Sequence, residues 1–380
     1  MKEESQRIKV VQFIHGLSLG GAETIVKDYA IYLDKSKFDL TVLCISRCNS
    51  PYDKLLRDSG VRVVYVSDSI CPWDVSGFIP LLRRKFRVFL QVRRILSEIK
   101  PDIIHYHLEL SCYVWFAEVS KTTKLFYTQH YPVEKIKASS KLDYLSLKHL
   151  ARSRNFRAIV LSKEMKNAFD ELFGRSDSIV VRNGIDVGRF QNMKRDFSNR
   201  IVLGIPCDSI LVGHIGRFSP EKNQGFLLDI ISYMKKKNPK VHLLLVGDGD
   251  GEEKLKEKVV NLGLSECVTI LSKRDDIPFI LSALDIVIVP SLFEGLSIVT
   301  IEAQVSGVPC LVSDVLPLES SISNLVVRLP LSEGVAVWGE TAFQVLNSKA
   351  SVEYYGLQDW DMAKVIQEVE RVYECAVSNT

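Results

Sequence analysis

Two glutamates, Glu294 and Glu302, lie where carboxylates could meet a ligand. The surrounding run VPSLFEGLSIVTIEAQVSGVPCLVS, residues 289–313, predicts a strand that ends at Pro290, a loop and then a helix. Backbone N–H groups at a helix start bind phosphate oxygens or hydroxyls. Three residues would supply them here: Gly295, Leu296 and Ser297, the last as the helix N-cap. The simpler alternative is a capped turn with two surface glutamates, whose charge suits the helix dipole.

The surroundings of Glu302 favour the first interpretation. Ile301 and Ala303 flank it in a helix of mostly apolar or small residues, so we expect Glu302 to be partly buried. A buried carboxylate without a partner is costly in free energy. A hydroxyl-bearing ligand would be a suitable partner.

A second group of reactive side chains lies in GHIGRFSPEKNQGFLL, residues 213–228. Arg217 follows a predicted strand, and Lys222 stands at the entrance of the next helix. Two cations beside a helix start can bind a diphosphate and stabilise the negative charge that develops on it as it leaves. A solvated basic loop is the alternative.

Two further candidates lie in the N-terminal half. Gly20 and Gly21, in HGLSLGGAET, separate the first predicted strand from the first helix, and glycine lets a phosphate approach the backbone. The run fits neither common nucleotide-binding glycine motif, so an ordinary tight turn is the alternative. His130, in FYTQHYP, also follows a strand, although a histidine there is often structural, and His105 and His107 compete with it.

The run Asp248-Gly249-Asp250 offers two carboxylates to a metal ion. Asp and Gly cluster in turns for conformational reasons of their own. We interpret this run as a turn and predict no metal site.

These residues must be positioned by the elements around them. Short β-branched runs alternate with helical patterns, which predicts parallel sheets covered by helices on both faces. The length exceeds what one core usually supports. We therefore expect an α/β protein with two Rossmann-like domains, residues 1–190 and 191–355, facing each other across a cleft. A C-terminal helix within 356–380 is expected to pack back on the first domain. Ligands of such sheets bind at the carboxyl ends of the strands.

The net charge of +3 hides an asymmetry between the two halves. Residues 1–198 carry 33 Lys and Arg against 22 Asp and Glu, whereas residues 199–380 carry 16 against 24. Such a split indicates that the first half faces something anionic. No aromatic-interleaved or helix-turn-helix pattern accompanies the basic residues, so we expect no nucleic-acid partner.

The sequence also bears on location. The run MKEESQRIKVVQFIHG lacks the pattern of a secretory signal, and no window offers the roughly 20 apolar residues of a spanning helix. The eight cysteines are scattered without zinc-site spacing and suit a reducing compartment. We expect a cytoplasmic protein.

Taken together, these motifs resemble those of glycosyltransferase family 4, the group 1 transferases with the GT-B fold. Glu294 and Glu302 match the E-x7-E element, and Arg217 and Lys222 match the R-x4-K element. The Gly20-Gly21-Ala22-Glu23 loop matches as well, and the order agrees over nearly the full length. The chain is especially similar to transferases of bacterial exopolysaccharide and capsule synthesis. It departs from many relatives after Val315, where LPLESSISNLVVRLPL replaces a Gly-rich segment.

The resemblance implies a retaining transferase that moves a sugar from a nucleotide-diphosphate sugar, with UDP the favoured nucleotide, to a saccharide or lipid-linked saccharide. Residues 1–190 would bind the acceptor and 191–355 the donor. Glu294 and His130 would be catalytic, both contacting the transferred sugar. The other implied donor contacts are Glu302 at the ribose, Arg217 and Lys222 with Gly20 and Gly21 at the diphosphate, Lys273 and Arg274 at the base, and Gly295, Leu296 and Ser297 at the helix start. No metal or other cofactor is implied.

Two other functions stay open. A nucleotide-sugar epimerase can share a two-domain fold of this kind, and a nucleotide-sugar-binding protein without turnover would also carry the donor motifs. The presence of both glutamates and both cations favours the transferase.

Residues 77–99, GFIPLLRRKFRVFLQVRRILSEI, place six basic residues among apolar ones. A basic amphipathic helix of this kind can lie on an anionic membrane surface. A solvated helix packed on its own domain is the alternative. We expect a possible peripheral contact with the cytoplasmic face of a membrane, which would bring the enzyme to a lipid-linked acceptor.

Overall fold

The computed structural model describes residues 7–67, 78–131, 133–138, 140–153, 155–193, 195–348 and 351–378. The chain divides into two compact units. The first unit combines Met1–Gly184 with Met362–Thr380, and the second is Ile185–Asp361. Residue 77 of the basic segment, and the side chains of residues 78–82, lie outside this description.

The first unit contains a seven-stranded parallel sheet with the order β3-β2-β1-β4-β5-β6-β7. Its strands are β1 (Ile8–Ile14), β2 (Phe38–Ser46), β3 (Arg62–Ser67), β4 (Ile103–His107), β5 (Lys124–Gln129), β6 (Phe156–Val160) and β7 (Ile179–Val180). Its helices are α1 (Gly21–Tyr32), α2 (Pro51–Asp58), α3 (Phe78–Ile99), α4 (Ser111–Phe116), α5 (Glu134–Ala138), α6 (Lys141–Leu150), α7 (Lys163–Phe173) and the C-terminal helix (Met362–Ser378). Every residue of β4 is buried, so this strand is covered on both faces, as expected for a parallel sheet between helix layers.

The C-terminal helix completes the core of the first unit. Apolar residues recur along one of its faces and are buried with residues of β1, β4, β5 and α1. They are Met362, Val365, Ile366, Val369 and Tyr373. The helix therefore closes one face of the sheet although it is the last element of the chain.

The second unit contains a six-stranded parallel sheet with the order β10-β9-β8-β11-β12-β13. Its strands are β8 (Ile210–Ile215), β9 (Val241–Val246), β10 (Val268–Leu271), β11 (Ile286–Val289), β12 (Cys310–Ser313) and β13 (Val326–Leu329). Its helices are α8 (Val187–Gln191), α9 (Asn199–Val202), α10 (Gln224–Lys237), α11 (Glu252–Asn261), α12 (Ile277–Ala283), α13 (Ile298–Val305) and α14 (Gly334–Asn347). Separate apolar clusters fill the two faces of the sheet.

Helix α14 packs closely on α10. A Cβ added at Gly339 would lie 2.5 Å from Cδ1 of Tyr233, so only glycine allows this approach. Trp338 beside it is fully buried, and its indole N–H donates to the carbonyl of Pro330 at 3.0 Å.

Both units are Rossmann-like, which confirms the predicted fold class. Within the part of the chain that the structure describes, we find no helix both long and apolar enough to cross a membrane.

Candidate functional site

Lys222 and Glu294 meet at the carboxyl edge of the second sheet. Lys222 ends a short 3-10 helix that follows β8, and Glu294 lies in the loop after β11. Because β8 and β11 are neighbours, their carboxyl ends bring the two loops together. The Lys222 Nζ lies 2.5 Å from Glu294 Oε1, which also accepts a hydrogen bond from Ser291 Oγ at 2.9 Å. Both charged side chains are partly buried.

Two further hydrogen bonds join these loops, and a third fixes the loop after β11 to the end of β12. The backbone N–H of Leu292 donates to the carbonyl of Glu221 at 2.8 Å. Asn223 Nδ2 donates to the carbonyl of Pro290 at 3.1 Å, and Ser313 Oγ donates to that of Ser291 at 2.7 Å. The position of Glu294 relative to Lys222 therefore depends on backbone anchors as well as on their charges.

Arg217 lies in the same β8–α10 loop as Lys222 and is exposed. Phe218, the next residue, is fully buried and anchors the loop in the core. In the described part of the chain, no carboxylate forms an ion pair with the Arg217 guanidinium, in contrast to the Lys222 ammonium. Arg217 is therefore a cation at this edge that no carboxylate among the described residues neutralises.

The glycines after β9 allow the loop after β8 and the loop after β9 to approach closely and to form hydrogen bonds with each other. The Phe218 N–H donates to the carbonyl of Asp248 at 2.6 Å, and the Gly251 N–H donates to that of Phe218 at 3.0 Å. A Cβ at Gly247 would lie 2.0 Å from the Gly216 carbonyl oxygen, and one at Gly249, where φ is +143°, would lie 2.5 Å from that of Phe218. The run Asp248-Gly249-Asp250 is thus a turn that supports the Arg217 loop.

Two buried residues that the sequence analysis did not single out support the same loop. His214 Nδ1 donates to the carbonyl of Ile288 at 2.9 Å, and Gln224 Nε2 donates to that of Arg217 at 2.7 Å. His214 Nε2 lies 3.3 Å from Gln224 Nε2, so the two side chains are in contact. Burial lowers the pKa of His214 to about 4, which keeps the ring neutral. For His214, a polar residue inside the apolar run ILVGHIG was the available signal.

Glu302 lies on α13 and is partly buried, flanked by the buried Ile301 and Ala303. Gln304 on the same helix is fully buried and holds the following loop: it donates to the carbonyl of Ser320 at 2.7 Å and accepts from the N–H of Ile322 at 2.8 Å. The segment that departs from the family pattern after Val315 is therefore fastened to the helix that carries Glu302.

The start of α13 corrects one expectation. Ser297 does precede the helix, but its side chain makes no capping hydrogen bond. Its Oγ lies 2.8 Å from Thr300 Oγ1 instead, because the two hydroxyls are buried together and satisfy each other. Gly295 and Leu296 precede it in the loop and are partly exposed.

Lys273 and Arg274 follow β10 at the same edge of the sheet. Lys273 Nζ lies 2.8 Å from Asp248 Oδ1. The Arg274 guanidinium binds both carboxylate oxygens of Asp276, at 2.7 and 2.5 Å. Both side chains are engaged in ion pairs, so the backbone of this loop is the part that could contact a ligand.

In the first unit, Gly20 and Gly21 begin α1 directly after the loop that follows β1. Gly20 is the N-cap residue of α1 and has no side chain that could cap the helix. The Glu23 carboxylate lies close to it, and its Oε1 accepts a hydrogen bond from Ser18 Oγ at 2.8 Å. A Cβ at Gly20 would clash with the carboxylate of Glu23. The glycine loop therefore keeps a carboxylate at the helix start.

His130 directly follows β5 and is partly exposed. Its Nε2 lies 2.9 Å from Nδ1 of His107, which is fully buried beside the fully buried His105. Burial lowers the pKa of His130 to about 3. The three histidines that competed as candidates thus form one group, of which only His130 is within reach of solvent.

The second unit therefore gathers two cations, a carboxylate that is paired with one of them and a second carboxylate on the helix that follows. Such a set can bind a diphosphate through cations and backbone N–H groups and hydroxyls through carboxylates. Among the described residues, no three His, Cys, Asp or Glu side chains are grouped so as to hold a metal ion.

Two Rossmann-like units of this kind form the GT-B fold of glycosyltransferases. The model of group 1 glycosyl transferases matches residues 196–335, and that of glycosyltransferase family 4 matches residues 19–189. The chain belongs to this family of glycosyltransferases.

Two curated relatives cover most of the chain. The Bacillus subtilis glycosyltransferase EpsF is 29% identical over 89% of this chain and 87% of its own length. The Escherichia coli UDP-Gal:alpha-D-GlcNAc-diphosphoundecaprenol alpha-1,3-galactosyltransferase is 28% identical over 83% of this chain and 81% of its own.

Solved structures share the fold at lower identity. Anabaena HepE in complex with UDP and glucose superposes with a TM-score of 0.77 at 21% identity, covering 97% of this chain and all of that one. WaaG, a glycosyltransferase involved in lipopolysaccharide biosynthesis, gives a TM-score of 0.72 at 14% identity, covering 97% of this chain and 99% of that one.

Proposed function

We propose that this glycosyltransferase is a retaining enzyme of surface-glycan synthesis that uses a UDP-linked sugar. The acceptor would be a saccharide or a lipid-linked saccharide of an exopolysaccharide or capsule, and the reaction would take place in the cytoplasm. Two comparisons support this choice: HepE was solved with UDP and glucose, and the E. coli relative is named for UDP-galactose and a diphosphoundecaprenol-linked acceptor.

The observation that carries the proposal is the arrangement of Arg217, Lys222 and Glu294. Glu294 would contact the transferred sugar, and its ion pair would hold Lys222 beside the diphosphate. Arg217, which no described carboxylate neutralises, would bind the phosphate oxygens. Glu302 would accept hydrogen bonds from the ribose hydroxyls.

The remaining contacts follow from the other loops. The N–H groups of Gly295, Leu296 and Ser297 would meet the ligand at the start of α13. The backbone of Lys273 and Arg274 would contact the base, since the side chains are already paired. In the first unit, His130 would contact the sugar, and Gly20 and Gly21 would approach the diphosphate once the Glu23 carboxylate turns aside.

The main requirement of this reaction is that the site stabilises the departing nucleoside diphosphate. The bond between the anomeric carbon and the phosphate oxygen breaks, and the nucleoside diphosphate leaves with the electron pair. The acceptor oxygen forms the new glycosidic bond and loses its proton, which a phosphate oxygen of the leaving group can take. Arg217 and Lys222 would stabilise the charge that develops on the diphosphate, a role that bridging metal ions play in other sites. We therefore propose that no metal is required.

A donor screen tests the proposal. UDP-, GDP- and ADP-sugars are compared by their shift of thermal unfolding, because a ligand that binds the folded state stabilises it. The best donor is then incubated with lipid-linked saccharide acceptors before and after chelation of divalent metals. We expect UDP-sugars to stabilise the protein, a product with the anomeric configuration of the donor, and activity that survives chelation. An inverted product would contradict the retaining mechanism.

The same donor incubated alone separates the alternatives. An epimerase would convert the donor to its epimer without any acceptor, and a binding protein would stabilise without turnover. Either result would replace the transferase proposal.

We also propose that α3 contacts an anionic membrane surface. Val88, Val92 and Leu96 are buried and attach the helix to its unit. On its outer side, Phe86 is 64% exposed and Leu90 is 49% exposed, so apolar groups point to solvent.

Basic residues accompany these exposed apolar groups. The exposed ones are Arg83, Lys85, Arg87, Arg93 and Arg94. Arg93 pairs with Glu118 at 2.6 Å and Arg94 with Glu98 at 2.8 Å, so Arg83 and Arg87 carry the electrostatic part of the proposal.

Vesicle sedimentation tests the membrane contact. We expect binding to vesicles with anionic lipid, weakened by salt, and loss of that binding in Phe86→Ser/Leu90→Ser. Equal binding to neutral vesicles, or none to anionic ones, would rule out the proposed surface.

A further inference from the structure

Six polar side chains form one continuous hydrogen-bonded chain through the core of the first unit. In order they are His130, His107, Gln12, Tyr373, His105 and Thr128. The five after His130 are almost fully buried, with at most 1% exposed. Only His130 is partly exposed, so the chain leads from the core to one accessible imidazole.

The proton positions in this chain follow from the amide of Gln12. Its Oε1 lies 2.8 Å from His107 Nε2, and a carbonyl oxygen can only accept, so His107 Nε2 carries the hydrogen. Burial lowers the pKa of His107 well below its usual value and keeps the ring neutral. Its Nδ1 is then bare and must accept the 2.9 Å hydrogen bond from His130 Nε2.

The other half of the chain has the same direction. Gln12 Nε2 donates to Tyr373 Oη at 2.9 Å. Burial raises the pKa of Tyr373 far above its usual value, so the phenol keeps its hydrogen and donates it to His105 Nδ1 at 2.5 Å. His105 Nε2 then donates to Thr128 Oγ1 at 2.6 Å. Every link runs from His130 towards Thr128.

The orientation of the Gln12 amide in the structure selects this direction over the reverse one. If the Gln12 amide turned over, its Nε2 would donate to His107 and its Oε1 would accept from Tyr373. Each hydrogen bond would reverse, and His130 would carry its hydrogen on Nδ1 instead of Nε2. Intermediate arrangements would leave a buried donor or acceptor unpaired, which is costly. The six groups therefore change direction together.

We propose that Gln12 and Tyr373 are positioning residues that hold His130 in the Nε2–H tautomer, so that His130 meets a substrate hydroxyl as a hydrogen-bond acceptor through Nδ1. This inference rests on the proposed contact between His130 and the donor sugar. It adds a specificity: the position contacted must be an O–H that can donate, because an ether or carboxylate oxygen offers no hydrogen to a bare nitrogen. Tyr373, on the last helix of the chain, acts through three intervening hydrogen bonds.

The tautomer is measured in the whole protein without any ligand. Two-bond ¹H–¹⁵N correlation spectra of histidine-labelled protein distinguish a protonated ring nitrogen from a bare one, and His130→Asn assigns the signals. We expect Nε2 of His130 to be protonated and Nδ1 to be bare. The opposite pattern would overturn the inference while the donor-site assignment in the second unit stands.

Tyr373→Phe tests the positioning role. Without the phenol, the Gln12 amide loses the acceptor for its Nε2 and can turn over, so the His130 signals should shift towards the Nδ1–H form. We expect kcat to fall about three- to tenfold, the effect of one neutral hydrogen bond, with little change in KM for the nucleotide sugar. Gln12→Met removes the same link from the other side and should act alike.

Tyr29→Phe is the matched control. Tyr29 is a second buried tyrosine of the same apolar cluster, its ring 5.9 Å from that of His105, and its hydroxyl is not one of the six groups. This variant should keep the wild-type tautomer and turnover. If Tyr373→Phe unfolded at a similar temperature to Tyr29→Phe yet kept the tautomer and kcat, Tyr373 would be structural only and the proposal would be wrong. Full turnover in His130→Ala would instead refute the sugar contact, and with it the substrate half of the inference.

Discussion

At the residue scale, Glu294 forms an ion pair with Lys222, and the proposed function gives Glu294 and Glu302 different roles. Glu302→Ala should weaken UDP binding by about ten- to a hundredfold, since a hydrogen bond to a charged group contributes about 1.5–3 kcal/mol. Glu294→Ala should lower kcat more than it lowers UDP affinity, because it removes the sugar contact and leaves Lys222 without its partner. Isothermal titration with UDP and steady-state kinetics measure the two effects.

A matched control for both substitutions is Glu266→Ala. Glu266 is exposed and precedes β10, at the amino edge of the same sheet. It should leave both quantities unchanged. Equal and mild losses in Glu294→Ala and Glu302→Ala would contradict the separate roles.

The buried histidines predict how stability depends on pH. Burial lowers the pKa of His105 from 6.5 to about 3, with the nearby His130 as a smaller cause. The unfolded chain therefore binds more protons below pH 6.5, and the stabilisation present above 6.5 is lost as the pH falls towards 3. We expect the free energy of unfolding of the first unit to decrease by on the order of 1 kcal/mol per pH unit for each such histidine between pH 6.5 and about 5. Urea unfolding at a series of pH values, compared with His105→Gln, should show a shallower slope in the variant.

At the residue scale, the sequence indicated which residues lie at strand ends, but it did not indicate which buried side chains contact each other. Lys222 and Glu294 stood at strand ends, and parallel strands gather such ends at one edge, so their proximity followed from the predicted topology. The alignment of His105, His107 and His130 with Gln12 and Tyr373 did not. It depends on strand register and on a helix more than two hundred residues away in the chain, neither of which a local pattern contains.

At the scale of elements, the loops after β8 and β9 are hydrogen-bonded to each other, and their close approach requires glycine next to the candidate site. Gly249→Ala places a Cβ against the Phe218 carbonyl at a φ of +143°, so the loop that carries Arg217 must shift. We expect a loss of about 1–3 kcal/mol in stability and a weaker affinity for UDP. Thermal unfolding and UDP titration check this.

Gly263→Ala provides the comparison. Gly263 also has a positive φ, +66°, but nothing lies within 4 Å of its added Cβ. That variant should be destabilised by strain alone, with UDP affinity kept. If Gly249→Ala bound UDP as tightly as Gly263→Ala, the loops would not be coupled to the site.

Elements with a strongly periodic sequence were predictable, whereas strand β13 and helix α14 were not. Helical patterns in the sequence predict helices near 223–237, 252–262 and 277–283, and the structure has them at Gln224–Lys237, Glu252–Asn261 and Ile277–Ala283. The segment that contains Trp338 has a less regular pattern, which does not predict helix α14, and strand β13 was not predicted either. Helix α14 begins with Gly334 and contains Gly339 and several β-branched residues, all poor helix formers, and tertiary packing on α10 overrides that preference.

At the scale of the whole molecule, the first unit depends on both ends of its sequence. Deleting residues 362–380 would expose the apolar cluster that the C-terminal helix covers, and each fully buried side chain contributes about 1.5–3 kcal/mol. We expect the first unit to lose its protection from hydrogen exchange while the second unit keeps its own. A chain that ends at Ser378 should behave like the wild type. Protection of β4 amides in the deleted protein would show that the helix is dispensable.

The charge asymmetry also belongs to this scale. The excess of basic residues lies in the first 198 residues, which fold almost entirely into the first unit, whereas the site of phosphate-binding candidates lies in the second, more acidic part. The bulk charge therefore does not coincide with the candidate nucleotide site. The spacing of four residues, and not composition, led us to propose that site.

The return of the C-terminal helix has a consequence for how the protein is made. The whole of Ile185–Asp361 is translated before the segment that finishes the first unit, so the nascent first unit waits with an uncovered apolar face during that time. Premature termination near residue 361 would yield a product with a complete second unit and an incomplete first unit. During synthesis, Tyr373 is added after the whole second unit, and with it the hydrogen-bonded chain that ends at His130 is completed.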